Sequence, residues 1–135
     1  MTLHRRCPLY ELDLNAYPVV KVRLNGAPDD AGLERFLSQV DEALESTEGT
    51  FALGVAVSTV SRTSKKQNAL MRAWYQRHES TMRSRCVGVG FAIRSRAYRA
   101  LARAGLSGRP SPFVHHVCKG EDELEAWCAG LVREH

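Results

Sequence analysis

Cys86-Val87-Gly88-Val89-Gly90-Phe91-Ala92-Ile93 is an unbroken apolar run of strand length, flanked by basic segments on both sides. Apolar on both faces, it reads as a strand inside a sheet, and its two alternate glycines clear one face for the close approach of a helix or another backbone. A second run of this kind, Phe51 to Val57, stands between Gly49-Thr50 and a Ser/Thr-rich loop and predicts a central strand covered on both faces. Between the two runs the period changes to that of a helix. Ser64-Lys65-Lys66-Gln67 has the spacing of a capping box with Ser64 as N-cap, and Met71, Trp74, Tyr75, His78 and Met82 mark the inner face that follows. Downstream, Ser95 can cap a third helix that passes Leu101 and stops near Gly105.

The same logic extends to both ends. Tyr10-Glu-Leu-Asp-Leu14 and Val20-Lys-Val-Arg-Leu24 each alternate apolar and charged residues, and Asn15-Ala-Tyr-Pro18 supplies a turn between them. An antiparallel hairpin would set Glu11 and Asp13 on the face that carries Lys21 and Arg23. After Pro28-Asp-Asp30, the residues Leu33, Phe36, Leu37, Val40 and Leu44 recur on one helical face up to Gly49. Phe113 to Val117 reads as the last strand, and Leu124, Trp127, Cys128 and Leu131 form the buried stripe of a final helix. The expectation is one α/β domain over residues 1–135, frayed at 1–8 and 133–135. It has a mixed, mostly parallel sheet of about five strands, opened by an antiparallel hairpin and flanked by about four helices.

Composition narrows the function classes. With 135 residues and 44% hydrophobic content, the chain can close one core. No apolar run approaches the ~18 residues of a membrane span, and no signal-peptide stretch follows the first six residues, so a cytoplasmic protein without integral membrane association is expected. Cys7, Cys86, Cys118 and Cys128 match no zinc-knuckle spacing and read as structural thiols; neither a metal nor another cofactor is expected. The formal charge of +4 is segregated. Residues 1–61 hold 5 Lys/Arg and 9 Asp/Glu, residues 62–109 hold 12 against 1, and residues 110–135 hold 2 against 5. Such a bipolar chain can recruit a protein with an acidic surface, or its two signs can meet within the fold or in a homo-oligomer.

Taken together, Val20-Lys-Val-Arg-Leu-Asn-Gly26, Trp74 with His78, Cys86 to Ile93, and Phe113 through Glu125-Ala-Trp127 resemble the STAS-like superfamily, in particular its SpoIIAA-like, anti-sigma-factor-antagonist-like bacterial members. The resemblance covers nearly the whole chain from Tyr10. It implies a sheet flanked by helices, and a role in protein–protein regulation or in binding a small or lipid-like ligand. In the antagonist branch a serine at the start of the second helix, within an Asp-Ser-Ser-Gly-like motif, is phosphorylated. Here the corresponding stretch is Ser58-Thr-Val-Ser-Arg-Thr-Ser-Lys-Lys66, without the aspartate and the glycine, which leaves Ser61, Thr63 and Ser64 as hydroxyls in the corresponding place.

Local chemistry singles out the same loop. A helix N-terminus carries a partial positive charge, yet this one begins beside Arg62, Lys65 and Lys66. An anion or acidic partner bound at Ser58, Ser61, Arg62, Thr63, Ser64, Lys65 and Lys66 would account for those cations, and Ser61 and Ser64 are candidate phosphosites. The bland alternative is that the cations extend into water and Ser64 serves as a cap. Arg96, Arg99 and Arg103 form a basic stripe, but no nucleic-acid-binding motif accompanies it, so nucleic acid is not the expected partner. His115 and His116 must point to opposite faces of a strand, whereas His116 and Cys118 share one. No nucleophile with a base, paired carboxylates or phosphate loop is recognised, so an enzyme is not expected. The leading expectation is therefore a non-enzymatic regulatory module acting through the Ser58–Lys66 loop. The alternative is a carrier or sensor of a small apolar or lipid-like ligand in a pocket lined by Trp74, Tyr75 and Phe91.

Overall fold

A computed structural model describes residues 9–59, 62–107 and 113–135. The order of elements is β1 (Tyr10–Asp13), β2 (Val19–Asn25), α1 (Asp30–Ser46), β3 (Phe51–Thr59), α2 (Lys65–Arg85), β4 (Cys86–Ile93), α3 (Arg96–Ser107), β5 (Val114–Cys118) and α4 (Glu121–Arg133). The five strands form one sheet in the order β1-β2-β3-β4-β5, with β1 antiparallel to β2 and every other pair parallel. The mixed, mostly parallel α/β sheet read from the sequence is the sheet observed.

The hairpin register pairs Glu11 with Arg23 and Asp13 with Lys21, so the charges expected to complement one another stand opposite. From β2 onward the chain always steps to the next strand in the same direction. Right-handed crossovers then lay α1, α2 and α3 on one face of the sheet. That face carries Val20, Val22, Leu53, Val55 and Phe91. Among the described residues only α4 covers the other face, where β3 and β4 present Ala52, Gly54, Ala56, Gly88, Gly90 and Ala92.

Small residues on that second face set the distance of α4. A Cβ at Gly90 would lie 2.6 Å from Leu124 Cδ1 and 3.0 Å from Trp127 Cε3, so the glycine is what admits the helix. Leu124 and Cys128 are fully buried in the resulting contact. Burying a leucine side chain contributes about 2 kcal/mol, and α4 reaches that burial with no side-chain cap at its Gly120 N-cap.

The three helix starts read from the sequence form as expected, the Ser95 hydroxyl accepting from Tyr98 N at 3.3 Å to open α3. Asp29 Oδ1 accepts from Gly32 N at 2.7 Å to open α1. Ser64 Oγ accepts from Gln67 N at 3.0 Å, and the Gln67 side chain reaches back to Ser64 N, which completes the capping box of α2. Cys86, Cys118 and Cys128 are free and buried, and Cys7 lies outside the described residues. No helix among the described residues is long and apolar enough to cross a membrane.

Candidate functional site

The amphipathic stripe of α1 is covered less fully than its pattern suggests. Leu33 and Ala43 are buried, but Phe36, Leu37, Val40 and Leu44 are only partly so. Beneath them lies a pocket of about 310 Å³ between the sheet and helices α1 and α2. Val20, Val22, Leu53, Val55 and Phe91 form its floor, Phe36 to Leu44 one wall, and Met71, Trp74 and Met82 the other. Nearly the whole lining is carbon. Its volume is at the lower end of the range of small-molecule sites, and it is far larger than the voids left by ordinary packing.

The walls are held in place from outside the pocket. Trp74 Nε1 donates to Asp41 Oδ1 at 2.6 Å, and the same oxygen lies 2.8 Å from His78 Nε2, so one α1 carboxylate fixes two α2 rings. His78 also packs on Trp74, with ring centroids 4.5 Å apart. At the end formed by the carboxyl termini of α1 and α2, Arg85 donates to Leu44 O and Gly49 O at 2.8 Å and to Tyr17 Oη and Thr47 Oγ1 at 3.0 Å. The guanidinium thereby satisfies a carbonyl that α1 leaves unpaired at its C-terminus, and it pairs with no carboxylate among the described residues. On the opposite side, Tyr10 meets Phe36 edge to face at 5.4 Å, and burial pushes the Tyr10 phenol above its ordinary value.

Of the three pocket residues expected from the sequence, Trp74 and Phe91 line the pocket. Tyr75 does not. One residue advances a helix by about 100°, which turns Tyr75 away from Trp74, and it packs as a partly buried member of the surrounding cluster. The expectation left out most of the lining, including the whole α1 wall with Ala43, and it placed Met71 and Met82 on the inner face of α2 without assigning them to a pocket. A small residue facing two flexible thioethers was the available signal.

The described residues of the Ser58–Lys66 loop do not converge on one point. Lys66 Nζ is 3.1 Å from Asp30 Oδ2, an acid from the first turn of α1, and Asp30 is held below its usual carboxyl range mainly by this partner. Ser64 is engaged as the cap, and Thr63 bonds the Asn68 side chain. Ser58, at the end of β3, bonds Asn25. Arg62 and Lys65 are exposed, and Ser61 lies outside the described residues. The cations at this helix start are thus partly neutralised by α1 itself.

Ser58 lies instead on a crevice of about 490 Å³ at the carboxyl ends of β2, β3 and β4, together with Arg23, Arg94, Lys119 and the start of α4. Ligands of open α/β sheets bind at such ends. Here, however, Arg23 lies 3.4 Å from Asp13 and from Glu121, and α4 begins with three acids of its own, Glu121, Asp122 and Glu123. The charge of Arg23 is thus already answered within the fold. Behind Arg23, Lys21 is 7% exposed and is covered by Glu125, which accepts from it, and by Glu121 at 3.4 Å. The sequence expectation put this lysine only in a hairpin charge pair; it is a buried cation held by two acids on successive turns of α4.

The surroundings of the three described thiols disfavour the thiolate. Burial is the first cause that raises all three described groups, and it pushes Cys128 up to about 11 with the neighbouring Cys118 and Cys86 adding to the effect. Comparison of the chain with family models, with curated proteins and with solved structures gives no match in any of the three.

Proposed function

We propose that this protein is a binding module of the STAS-like kind that holds a small apolar ligand between its sheet and helices α1 and α2, as carrier or sensor. The apolar pocket of about 310 Å³ carries this reading. The pocket is partly open, so its apolar walls carry a cost when no ligand covers them, at ~25 cal/mol for each Å² left in contact with water. A ligand of ten or so non-hydrogen atoms, at the ~30 Å³ that a water-sized group occupies, removes most of that penalty. The strand order and the helix on each crossover support the STAS-like kinship. The lining favours binding over chemistry, since its side chains are apolar apart from the hydroxyls of Tyr10 and Thr47 and the Trp74 indole N–H, which is committed to Asp41.

A regulatory docking role for the Ser58–Lys66 loop has less support, because Asp30, Asn68 and the cap account for three of its polar groups. Titration with N-phenyl-1-naphthylamine, a neutral apolar fluorophore, tests the reading. Saturable enhancement at one equivalent, accompanied by quenching of Trp74 that is absent in Trp74→Phe, is the expected result. Native mass spectrometry showing only the bare polypeptide, together with no saturable probe signal, would remove the proposal.

A further inference from the structure

Three chemically apt side chains meet at the junction of β5 and α4, on the sheet face opposite the pocket. His116 and Cys118 project from the same side of β5 as residues i and i+2, and Glu123 stands in the first turn of α4. One ligand atom from each, an imidazole nitrogen, the thiol sulfur and a carboxylate oxygen, lies within 4.8 Å of the other two. We propose that this junction binds one zinc ion through His116, Cys118 and Glu123, with the fourth position open to water.

Geometry is the first support. Tetrahedral zinc with bonds of ~2.0–2.3 Å places its ligand atoms roughly 3.3–3.8 Å apart. His116 Nε2 and Glu123 Oε2 stand at 3.6 Å, within that range, and the sulfur closes the set with a contraction of about 1 Å at most. The donor set is the second. One nitrogen, one sulfur and one oxygen suit a borderline ion such as zinc and exclude magnesium and calcium, which take oxygen ligands.

Orientation and access complete the case. The His116 ring stacks on Trp127 at 5.2 Å and 15°, and Trp127 lies one turn beyond Glu123 on α4, so the same helix supplies a ligand and steadies the imidazole. The thiol is lodged inward, 3.5 Å from Gly120 O, while the histidine is 37% and the glutamate 61% exposed. An ion can therefore enter from solvent and still find the sulfur in a sheltered corner. His115 belongs to the opposite face and is no part of the set.

Metal-free, untagged full-length protein titrated with Zn²⁺ by calorimetry, and with Co²⁺ by absorption spectroscopy, tests the site. One equivalent should bind, and Co²⁺ should give the intense visible bands of four-coordination plus a sulfur-to-metal charge-transfer band that Cys118→Ser abolishes. His116→Ala and Glu123→Gln should each weaken Zn²⁺ binding by more than the roughly 10–100-fold that loss of an outer-shell partner causes. His115→Ala should leave it unchanged. Because Cys118 is buried and its serine variant can lose stability, the exposed Glu123→Gln provides the second arm, with its fold checked by circular dichroism. Unchanged affinity in folded Glu123→Gln, a weak octahedral Co²⁺ spectrum, or a charge-transfer band that survives in Cys118→Ser would each overturn the assignment.

Discussion

Ala43→Leu puts the pocket to a direct test, because in a well-packed core the change destabilises and over a void it does the reverse. Ala43 sits on α1, buried, with its side chain on the pocket wall. Leucine and alanine are both good helix formers, so the backbone contributes little to the difference. Three added carbons fill about 80 Å³, or roughly a quarter of the pocket, and at ~24 cal/mol per Å³ they return about 2 kcal/mol. The transfer estimate agrees, at about 2.4 kcal/mol from ~0.8 kcal/mol for each buried methylene. For a chain of this length the melting temperature should rise by about 5 to 8 °C. Urea unfolding gives the free energy and differential scanning calorimetry the midpoint, both on delipidated protein so that no resident ligand masks the gain. Val55→Ile, which adds one carbon from the sheet side, should contribute about 0.8 kcal/mol in the same direction. Both variants should weaken the naphthylamine probe by tenfold or more. If instead both destabilise the protein by the ~1–3 kcal/mol typical of overpacking, the space is not available and the pocket argument fails.

Glu121→Ala/Glu125→Ala should cost about 3 kcal/mol in urea unfolding because it strands the buried Lys21 ammonium, whereas Lys21→Met, which removes the charge, should stay within about 1 kcal/mol of the parent; equal losses would refute the reading of Lys21 as a buried ion held by α4. Gly90→Ala should destabilise by about 1–3 kcal/mol, since its Cβ would stand 2.6 Å from Leu124, and Leu124→Ala in the same chain should recover part of that loss in a double-mutant cycle. The Asn15 N–H, followed by Arg23 and Lys21, holds the Asp13 carboxyl below its ordinary range despite opposing desolvation. A lowered native value gives stability that is present above the unfolded value of about 4 and is lost as pH falls through the native one, so Asp13→Asn should flatten the acid limb of the stability curve below about pH 4 and leave its shape at pH 7 unchanged.

Much of the fold was legible because its signals are local. The period-two alternation of Tyr10–Leu14 and Val20–Leu24, the Ser64–Gln67 box and the paired glycines of β4 each act within a few residues, and each took the form it implied. Lys21 was legible only in part, since alternation placed it on the polar side of a half-buried strand. Its burial depends on Glu125, 104 positions away, and no local pattern encodes the return of α4 across that face. The pocket was hidden for another reason. An apolar stripe such as Phe36, Leu37, Val40 and Leu44 reads the same whether the space beneath it is filled or empty, because periodicity records direction and not volume. His116 and Cys118 could be paired by strand period, but Glu123 joins them only through the turn at Lys119-Gly120, which reverses the chain between strand and helix.

Charge segregation along the chain, which on its own suits an acidic partner, has a substantial internal answer. The acids of α1 meet the basic segment on α2, with Asp30 on Lys66 and Asp41 on His78, and those of α4 meet the cations of β2. Each pairing ties together elements that flank the pocket or the opposite face, and apart from the buried Lys21, whose partners shield its charge, the pairs are exposed and contribute at most about 1 kcal/mol each. Their effect is therefore on position more than on stability. Asp41 holds Trp74 upright as a wall, and Arg85 ties the carboxyl end of α1 to the start of β3 through four neutral acceptors. Walls fixed from outside by polar bonds cannot collapse inward to close an apolar void, which is the condition under which a space of this size persists until a ligand fills it.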